Sequence, residues 1–283
     1  MVLRKEEVVG IIVLASMILG LIAPIVAYSV AKPAEVPEAM FQFPFTGKLK
    51  YVTSETYSVS EEFEVVLDVS GGGAEILESE KENEVKVEIY EYPAFFPFFR
   101  KPAVKEYNIE FADNVLHVTI SGYVAKVYVP PKFVKRISSV VSGGLSVKID
   151  AGNVETCDFK VTSGGVELDL SNLRNSTISI NISGGGFSGK LSYGDYVGEA
   201  KIIIYISGGG GRMDIENMGA KVKVDAAISG GGGTVEVNGV TVLSLGGASV
   251  TKTYTDEGFD EAFKKLLLSI DVSGGGFQIG IRK

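Results

Sequence analysis

The chain has 283 residues, of which 45% are apolar, and this is enough to bury a core in one or two domains. Its formal net charge of −8 argues against a nucleic-acid partner, because the phosphate backbone attracts basic surfaces. The single cysteine excludes a disulfide within the chain, and the single histidine leaves few ways to build a nucleophile and its base.

The N-terminal segment is apolar and long enough to cross a membrane. No charged residue occurs from position 8 to position 31, and a helix needs about 20 residues to span a bilayer core. Arg4 and Lys5 precede this run, which favours an orientation with the body outside the cytoplasm. We therefore predict one transmembrane helix in residues 1–31. The alternatives are a secretory signal cleaved after Ala31, which would release a secreted body, and a helix buried in the core.

Residues 32–47 are predicted to form a linker, because Pro33, Pro37 and Pro44 stiffen the chain and interrupt regular structure. Folded structure is expected to begin at Lys48 and to continue to residue 283.

A glycine cluster follows a short apolar run seven times in the rest of the chain. Successive copies are separated by 71, 21, 21, 24, 22 and 44 residues. A period near 21–22 residues is typical of a stacked repeat. One glycine of each cluster is predicted to form a structural corner: Gly72, Gly143, Gly164, Gly185, Gly209, Gly231 and Gly275.

Each copy alternates apolar and polar residues before its glycines, as in Ile178, Ile180 and Ile182. Five steps separate Ile182 from the apolar Phe187, and an odd interval would reverse the face of a straight strand. The chain must therefore bend at the glycines, which tolerate the backbone angles of a corner. A unit this short buries its apolar face only against copies of itself. The sequence thus predicts an all-β parallel solenoid with coils of 21–22 residues in residues 48–283, with a β-sandwich as the alternative.

Three stretches depart from the repeat. Residues 84–92 and 114–130 contain strands that could complete two further coils. The stretch LSLGGASV resembles a degenerate copy centred on Ala248. Residues 256–267 place Phe259, Phe263 and two leucines at helical spacing, which predicts a short amphipathic helix.

The recurring motif of alternating apolar residues followed by Ser-Gly-Gly-Gly, together with residues 127–147, resembles the prokaryotic putative-adhesin domain family. The resemblance covers residues 60–283 and implies a right-handed parallel β-solenoid. Members of this family are largely of unknown function. The resemblance therefore implies an adhesin-like module and supplies no catalytic residue.

The sequence predicts no catalytic site, no cofactor and no metal. Glycine-rich phosphate loops lead into a helix, whereas every cluster here leads into a strand. His117 lies on the outward side of its strand, and the chain contains no Gly-x-Ser-x-Gly motif. The outward carboxylates occur at different offsets and are expected to form a solvated surface: Asp68, Glu75, Asp150, Glu167, Asp169, Asp214 and Glu236.

An aromatic insertion at residues 92–102 interrupts the repeat. Aromatic rings beside basic residues favour contact with a membrane interface or a surface partner. Alternatively, the insertion covers an end of the solenoid. The candidate interaction patch comprises Phe95, Phe96, Phe98, Phe99, Arg100 and Lys101.

These features predict a non-enzymatic, membrane-anchored, extracytoplasmic β-solenoid that acts as a structural or adhesin-like interaction module. Its expected partners are the membrane and an unknown surface protein or glycan. The alternatives are a carbohydrate-binding or carbohydrate-cleaving solenoid and a scaffold that self-associates end to end through unpaired coil edges. Asn175 and Asn181 fit the glycosylation acceptor pattern, which matters only in a host that glycosylates exported proteins.

Overall fold

The structure, a computed structural model, describes residues 49–91, 105–217, 219–247 and 249–283. The chain divides into two units, Met1–Gln42 and Phe43–Lys283, and every described residue belongs to the second. The predicted transmembrane helix (1–31), linker (32–47) and aromatic insertion (92–102) lie outside the described residues. None of the described residues forms a helix with the length and hydropathy of a bilayer span.

The described residues form strands joined by turns, which confirms the predicted all-β class. A 3-10 turn at Pro131–Phe133 is the one helical turn in these ranges. The strands are β1 (Lys50–Ser58), β2 (Phe63–Glu78), β3 (Glu84–Glu91), β4 (Glu106–Ala112), β5 (Val115–Ser121), β6 (Val124–Val129), β7 (Val134–Asp150), β8 (Thr156–Val161), β9 (Gly165–Leu173), β10 (Thr177–Ile182), β11 (Gly186–Tyr193), β12 (Gly198–Ile206), β13 (Gly210–Glu216), β14 (Lys221–Ile228), β15 (Gly232–Val237), β16 (Val240–Gly246), β17 (Val250–Thr255), β18 (Lys264–Val272) and β19 (Gly276–Arg282).

Eight segments stack on one another as rungs, and each rung consists of a first arm, a corner and a second arm. β2 and β7 are long enough to form both arms alone, whereas two strands share the arms in the other rungs. Neighbouring rungs pair in parallel, and β8, β10 and β12 keep one continuous register. In spatial order, rungs 1 to 8 comprise residues 115–129, 63–78, 134–150, 156–173, 177–193, 198–216, 264–282 and 221–237.

The spatial order of the rungs differs from their sequence order at each end of the stack. Rung 2 precedes rung 1 in the sequence, and rung 7 follows rung 8. β18 pairs in parallel with β12 on one side and with β14 on the other. β19 pairs in the same way with β13 and β15. The chain therefore passes from rung 6 to rung 8 and returns later to fill the position between them.

Antiparallel strands cover both ends of the stack. At the rung 1 end, β4 pairs with β5, β3 pairs with β6, and β1 pairs with β3. At the rung 8 end, β17 pairs with β14, and β16 pairs with β15. Asn238 and Gly239, both with positive φ, form the two-residue turn between β15 and β16. These outer strands satisfy the backbone groups that the terminal rungs would otherwise leave unpaired.

The corner glycines of successive rungs lie against one another in a single column. From rung 2 to rung 8 the column runs Gly72, Gly143, Gly164, Gly185, Gly209, Gly275 and Gly231. A Cβ on each would overlap the backbone carbonyl oxygen of its counterpart in the preceding rung, which is Tyr123 of rung 1 in the case of Gly72. The last five have φ between 83° and 95°, a region that favours glycine. Rung 2 differs, because the positive φ of 63° belongs to Gly71 rather than to Gly72.

The apolar side chains of both arms point into the stack and form its core. Ile178, Ile180 and Ile182 are fully buried, as their alternation indicates. Just after the corner, rungs 5 to 8 carry an alternating series in register, which is Phe187, Gly211, Phe277 and Gly233. A Cβ on Gly211 would overlap the ring of Phe187, and one on Gly233 would overlap that of Phe277. Each ring therefore occupies space that the glycine of a neighbouring rung leaves free.

The predicted amphipathic helix at residues 256–267 is wrong. Residues 256–263 form turns, and β18 begins at Lys264. Leu266 and Leu268 fit the period-two alternation of a strand, and parallel partners satisfy the β18 backbone on both sides. Phe263, which the helix would have buried with Phe259, is 82% exposed. The stabilisation that these residues gain from strand pairing within the stack therefore outweighs the helical preference that their apolar spacing indicated.

The irregular stretches also differ from the sequence prediction. β3, within residues 84–92, forms no coil and pairs antiparallel with β6. The strands on either side of Ala248, β16 and β17, are antiparallel and are not a degenerate copy. Residues 115–129 do form a rung, and its corner needs a single glycine, Gly122, with φ of 70°.

Candidate functional site

A groove runs along the turn face, the side of the stack where each second arm ends and the chain turns toward another rung. Its volume is about 600 Å³, a size that accommodates small ligands. The turns that follow the second arms of rungs 1 to 5 line it. The lining residues are Glu78, Ser79, Glu82, Pro130, Pro131, Lys132, Asp150, Gly152, Asn153, Asn172, Arg174, Gly194 and Asp195.

Carboxylate and amide groups from three adjacent rungs are linked by hydrogen bonds at the centre of this groove. The Oε1 atom of Glu78 accepts a hydrogen bond from the backbone N–H of Asp150 at 2.6 Å. Asp150 accepts one from the backbone N–H of Gly152 at 2.9 Å and another from the side-chain amide of Asn172. Asn172 has a φ of 56°, a conformation that asparagine adopts more readily than most residues. The turns thereby hold polar atoms of rungs 2, 3 and 4 in one row.

The groove carries both signs of charge, with an excess of negative groups. Four carboxylates line it, from Glu78, Glu82, Asp150 and Asp195, against the two cations of Lys132 and Arg174. The Lys132 ammonium lies 3.0 Å from the carboxylate of Glu82. The Asn153 amide donates to the Lys132 carbonyl oxygen at 2.9 Å. A ligand in this groove would meet several hydrogen-bond donors and acceptors, as a hydroxyl-rich or zwitterionic molecule requires.

The rung 5 end of the groove adjoins an exposed apolar pair. Asp195 forms an ion pair with Lys264, whose ammonium holds the pKa of the Asp195 carboxyl below its usual range. The preceding residue, Phe263, accepts a hydrogen bond at its carbonyl from the N–H of Gly198 at 2.7 Å. Phe263 is 82% exposed and Val197 is 69% exposed. An exposed aromatic ring and an exposed aliphatic side chain thus belong to residues next to Lys264 and Gly198, close in the chain to the Asp195 end of the groove.

The residues singled out from the sequence are distributed as follows. The patch Phe95, Phe96, Phe98, Phe99, Arg100 and Lys101 lies outside the described residues. His117 is exposed on β5, where its register partner is Glu110 of β4. Cys157 is fully buried, and its burial, followed by the nearby Asp158 charge, raises the pKa of its thiol to about 12.

Of the outward carboxylates, Asp68, Glu167 and Asp169 are exposed on the arms. Glu75, Asp214 and Glu236 are half-buried on the arms, and Asp150 is half-buried in the groove. The sequence pattern predicted a solvated surface at Asp150 and did not indicate the groove. A signal was present, because polar residues recur at or just beyond the ends of successive second arms, at Asp150, Asn172 and Asp195, spaced by 22 and 23 residues. Among the described residues, no group of three or more His, Cys, Asp or Glu side chains is arranged to hold a metal ion.

No protein-family profile matches the chain, and no curated protein matches it. Among solved structures, a putative cell adhesion protein from Clostridium sporogenes is 14% identical, with a TM-score of 0.42 over 82% of this chain and 100% of that one. A putative adhesin from Parabacteroides merdae is 12% identical, with a TM-score of 0.28 over 82% of this chain and 97% of that one. A putative lipid binding protein from Parabacteroides distasonis is 14% identical, with a TM-score of 0.28 over 84% and 98%.

Similar solved structures thus include bacterial proteins named as adhesins, which confirms the resemblance predicted from the glycine repeat. At these TM-scores and identities, they carry no further argument about the fold or the function of this chain.

Proposed function

We propose that the chain is a right-handed parallel β-solenoid that acts as a non-enzymatic structural or adhesin-like interaction module outside the cytoplasm. The parallel pairing of successive arms and the column of corner glycines support the solenoid winding. The uncharged run from position 8 to position 31 supports an N-terminal membrane anchor, and Arg4 and Lys5 support its orientation.

The observation that carries this proposal is a stack of eight parallel rungs whose two ends are covered by polar antiparallel strands. β4 and β17 are mostly exposed along their length and carry residues such as Glu106, Glu110 and Lys252. Polar and charged edge strands discourage pairing with another chain. Covered ends therefore favour a separate rigid body over a fibre and disfavour the scaffold that assembles end to end.

Labelling of the full chain in cells tests the proposed location. Thr251 is exposed on β17, so Thr251→Cys in a Cys157→Ala background provides one accessible thiol. In intact spheroplasts a membrane-impermeant maleimide should label this thiol, and the chain should sediment with membranes after carbonate washing. Labelling that requires lysis would contradict export, whereas labelled chain in the medium would indicate a cleaved signal. A cytoplasmic thiol protein in the same cells controls for leakage.

The groove favours a second candidate function, which is carbohydrate binding. Its row of carboxylates and amides matches the hydroxyl groups of a sugar, and the exposed Phe263 ring offers an apolar face to stack on. The interaction module would then recognise a glycan along the turn face rather than through its ends.

Glycan-array binding of the full chain in detergent tests this second function. We expect binding to one glycan class, and an Arg174→Ala, Phe263→Ser double variant should bind it about tenfold more weakly, a change of about 1.4 kcal/mol. A matched double variant, Lys160→Ala with Tyr205→Ser, changes exposed residues on first arms instead. Absence of any bound glycan, or equal binding by both double variants, would rule out the groove as the binding site.

A further inference from the structure

Rung 7 fills a gap that the preceding part of the chain leaves open. Rungs 6 and 8 both come earlier in the sequence than residues 264–282, and rung 7 supplies the strands between them. Without these residues, β12 and β14 would stand two strand spacings apart, about 10 Å. We call this space the rung 7 gap. Each strand that borders it would then present a row of unpaired backbone groups, which can pair with another chain.

The rung 7 gap is shaped for the segment that fills it. Leu266, Leu268 and Ile270 of β18 are buried in it and pair in register with residues on both neighbouring strands. The ring of Phe277 occupies the space where a side chain on Gly233 would stand. Recognition thus depends on two continuous parallel ladders and on a specific match of large to small residues. Any copy of this chain carries the same segment and the same gap.

The connection into rung 7 is longer than its path requires. Thr255 at the end of β17 and Lys265 near the start of β18 pair with Lys223 and Lys221 of β14, so the connection crosses β14 alone. That span is about 10 Å, whereas the eight residues 256–263 can extend to about 26–29 Å. Phe263 is exposed and Gly258 forms a turn with φ of 72°, whereas Phe259 is buried and has to regain its contacts after the connection is rearranged. The same connection can reach a neighbouring molecule.

We propose that two copies of this chain exchange residues 264–282, each filling the rung 7 gap of the other, to form a domain-swapped dimer. The exchanged segment makes in its partner the contacts that it makes in its own chain, so only the connection 256–263 changes conformation. The partner is a second copy of the chain, and the surface is the pair of strand edges on β12 with β13 and on β14 with β15. This proposal is independent of the glycan groove and of the membrane anchor.

Disulfide trapping between differently labelled chains tests the exchange. Tyr205 of β12 and Asp271 of β18 are register partners and are both exposed. Partners in adjacent strands lie about 5 Å apart, which suits a disulfide. One full chain carries Tyr205→Cys, another carries Asp271→Cys, and both carry Cys157→Ala. The two are unfolded, mixed, refolded in detergent and oxidised. Exchange should yield a covalent heterodimer whose fraction rises with the protein concentration during refolding.

A matched pair of Tyr205→Cys with Thr253→Cys gives the background, because Thr253 lies on β17, three strands from β12. Placing Tyr205→Cys and Asp271→Cys in one chain tests whether the two thiols lie close enough to form a disulfide. Ile203→Cys with Ser269→Cys gives a second in-register pair. The proposal is overturned if either one-chain pair closes while mixed chains give no more dimer than background at every concentration. Elution of the wild type refolded at high concentration as monomer alone would overturn it as well.

Discussion

Gly209 lies so close to Gly185 of the neighbouring rung that a Cβ on Gly209 would overlap the Gly185 carbonyl oxygen. The same oxygen accepts a hydrogen bond from the N–H of Gly210 at 3.2 Å. The corner therefore combines a positive φ at Gly209, 85°, with a backbone contact that leaves no space for any side chain. The backbone contact repeats along the whole column, and the positive φ repeats in its last five glycines, so the column glycines are structural.

The first prediction concerns this contact. Gly209→Ala should destabilise the fold by about 2–4 kcal/mol, because it adds positive-φ strain to a backbone overlap that cannot relax locally. Gly246→Ala is the matched control, since Gly246 has ordinary φ and a Cβ there would have no neighbour within 4 Å. Urea unfolding of both variants measures the difference. Equal stability of the two variants would contradict the packed corner.

The second prediction concerns the alternation of rings and glycines. Gly211→Val should destabilise the fold because its side chain would overlap the Phe187 ring. Phe187→Ala should cost about 3–5 kcal/mol by leaving a cavity. The double variant should be more stable than the sum of the two losses indicates, because truncation of Phe187 removes the overlap with the ring and leaves only the overlap with the Phe187 carbonyl oxygen. A double-mutant cycle measured by thermal unfolding gives the coupling energy, and a value near zero would mean that the two positions do not share space.

The third prediction separates the observed strand from the helix that the sequence favoured. Phe259→Ala should destabilise the fold by about 3 kcal/mol, because the Phe259 ring is buried. Phe263→Ala should change stability by less than about 0.5 kcal/mol, because that ring faces solvent. An amphipathic helix would bury both rings and make both substitutions costly. Chemical denaturation of the two variants side by side distinguishes these outcomes.

The fourth prediction is a pH dependence centred on Asp256. Burial acts to raise the pKa of its carboxyl, but hydrogen bonds from Lys283, from the N–H of Val222 and from the hydroxyl of Tyr254 outweigh burial and lower it. A lowered pKa in the folded state contributes stability above the ordinary carboxyl range, and that stability is lost as the pH falls through the folded-state pKa. The Tm advantage of wild type over Asp256→Asn should therefore be larger at pH 7 than at pH 3.

Glu257→Gln provides the control for this measurement, since Glu257 is an exposed neighbouring carboxylate. An Asp256→Asn variant whose Tm follows that of wild type at both pH values would show that Asp256 does not contribute.

The fifth prediction concerns the thiol of Cys157. Because burial raises its pKa to about 12, the folded protein should not react with N-ethylmaleimide at pH 8. The thiol should react readily once denaturant opens the stack. Mass spectrometry of the intact chain reports one adduct or none. Rapid labelling of the folded chain would place Cys157 outside the core.

Much of the local structure could be predicted from the sequence, because the repeat encodes it in each copy. Alternation at Ile178, Ile180 and Ile182 predicts an arm with one buried face, and the glycines predict the bend. Residues 115–129 were harder to recognise as a rung, since Tyr123 stands where other copies have a second glycine. The helix at 256–267 was predicted wrongly because helical and strand periods coincide over so few residues.

The order of the rungs could not be predicted, because every copy carries nearly the same apolar pattern. No local feature of the sequence specifies that residues 264–282 lie between rungs 6 and 8 rather than outside rung 8. The match of Phe277 to Gly233 is a signal for this order, but it becomes visible only when the two are known to be neighbours. The groove was missed for a similar reason, since Glu78 and Asp150 are 72 residues apart in the sequence and adjoin through the stack.

The late entry of residues 264–282 has a consequence for biosynthesis. A chain synthesised from its N-terminus completes rungs 6 and 8 and their outer strands before it reaches the strands that join them. Before synthesis reaches Lys264, the strand edges of rungs 6 and 8 that face the rung 7 gap are unpaired, so they can associate with other chains and are accessible to proteases. A product truncated before Lys264 keeps these edges unpaired permanently. Cooperative resistance to degradation should thus arise only after synthesis has passed this point, which lets a cell discard incomplete copies by ordinary proteolysis.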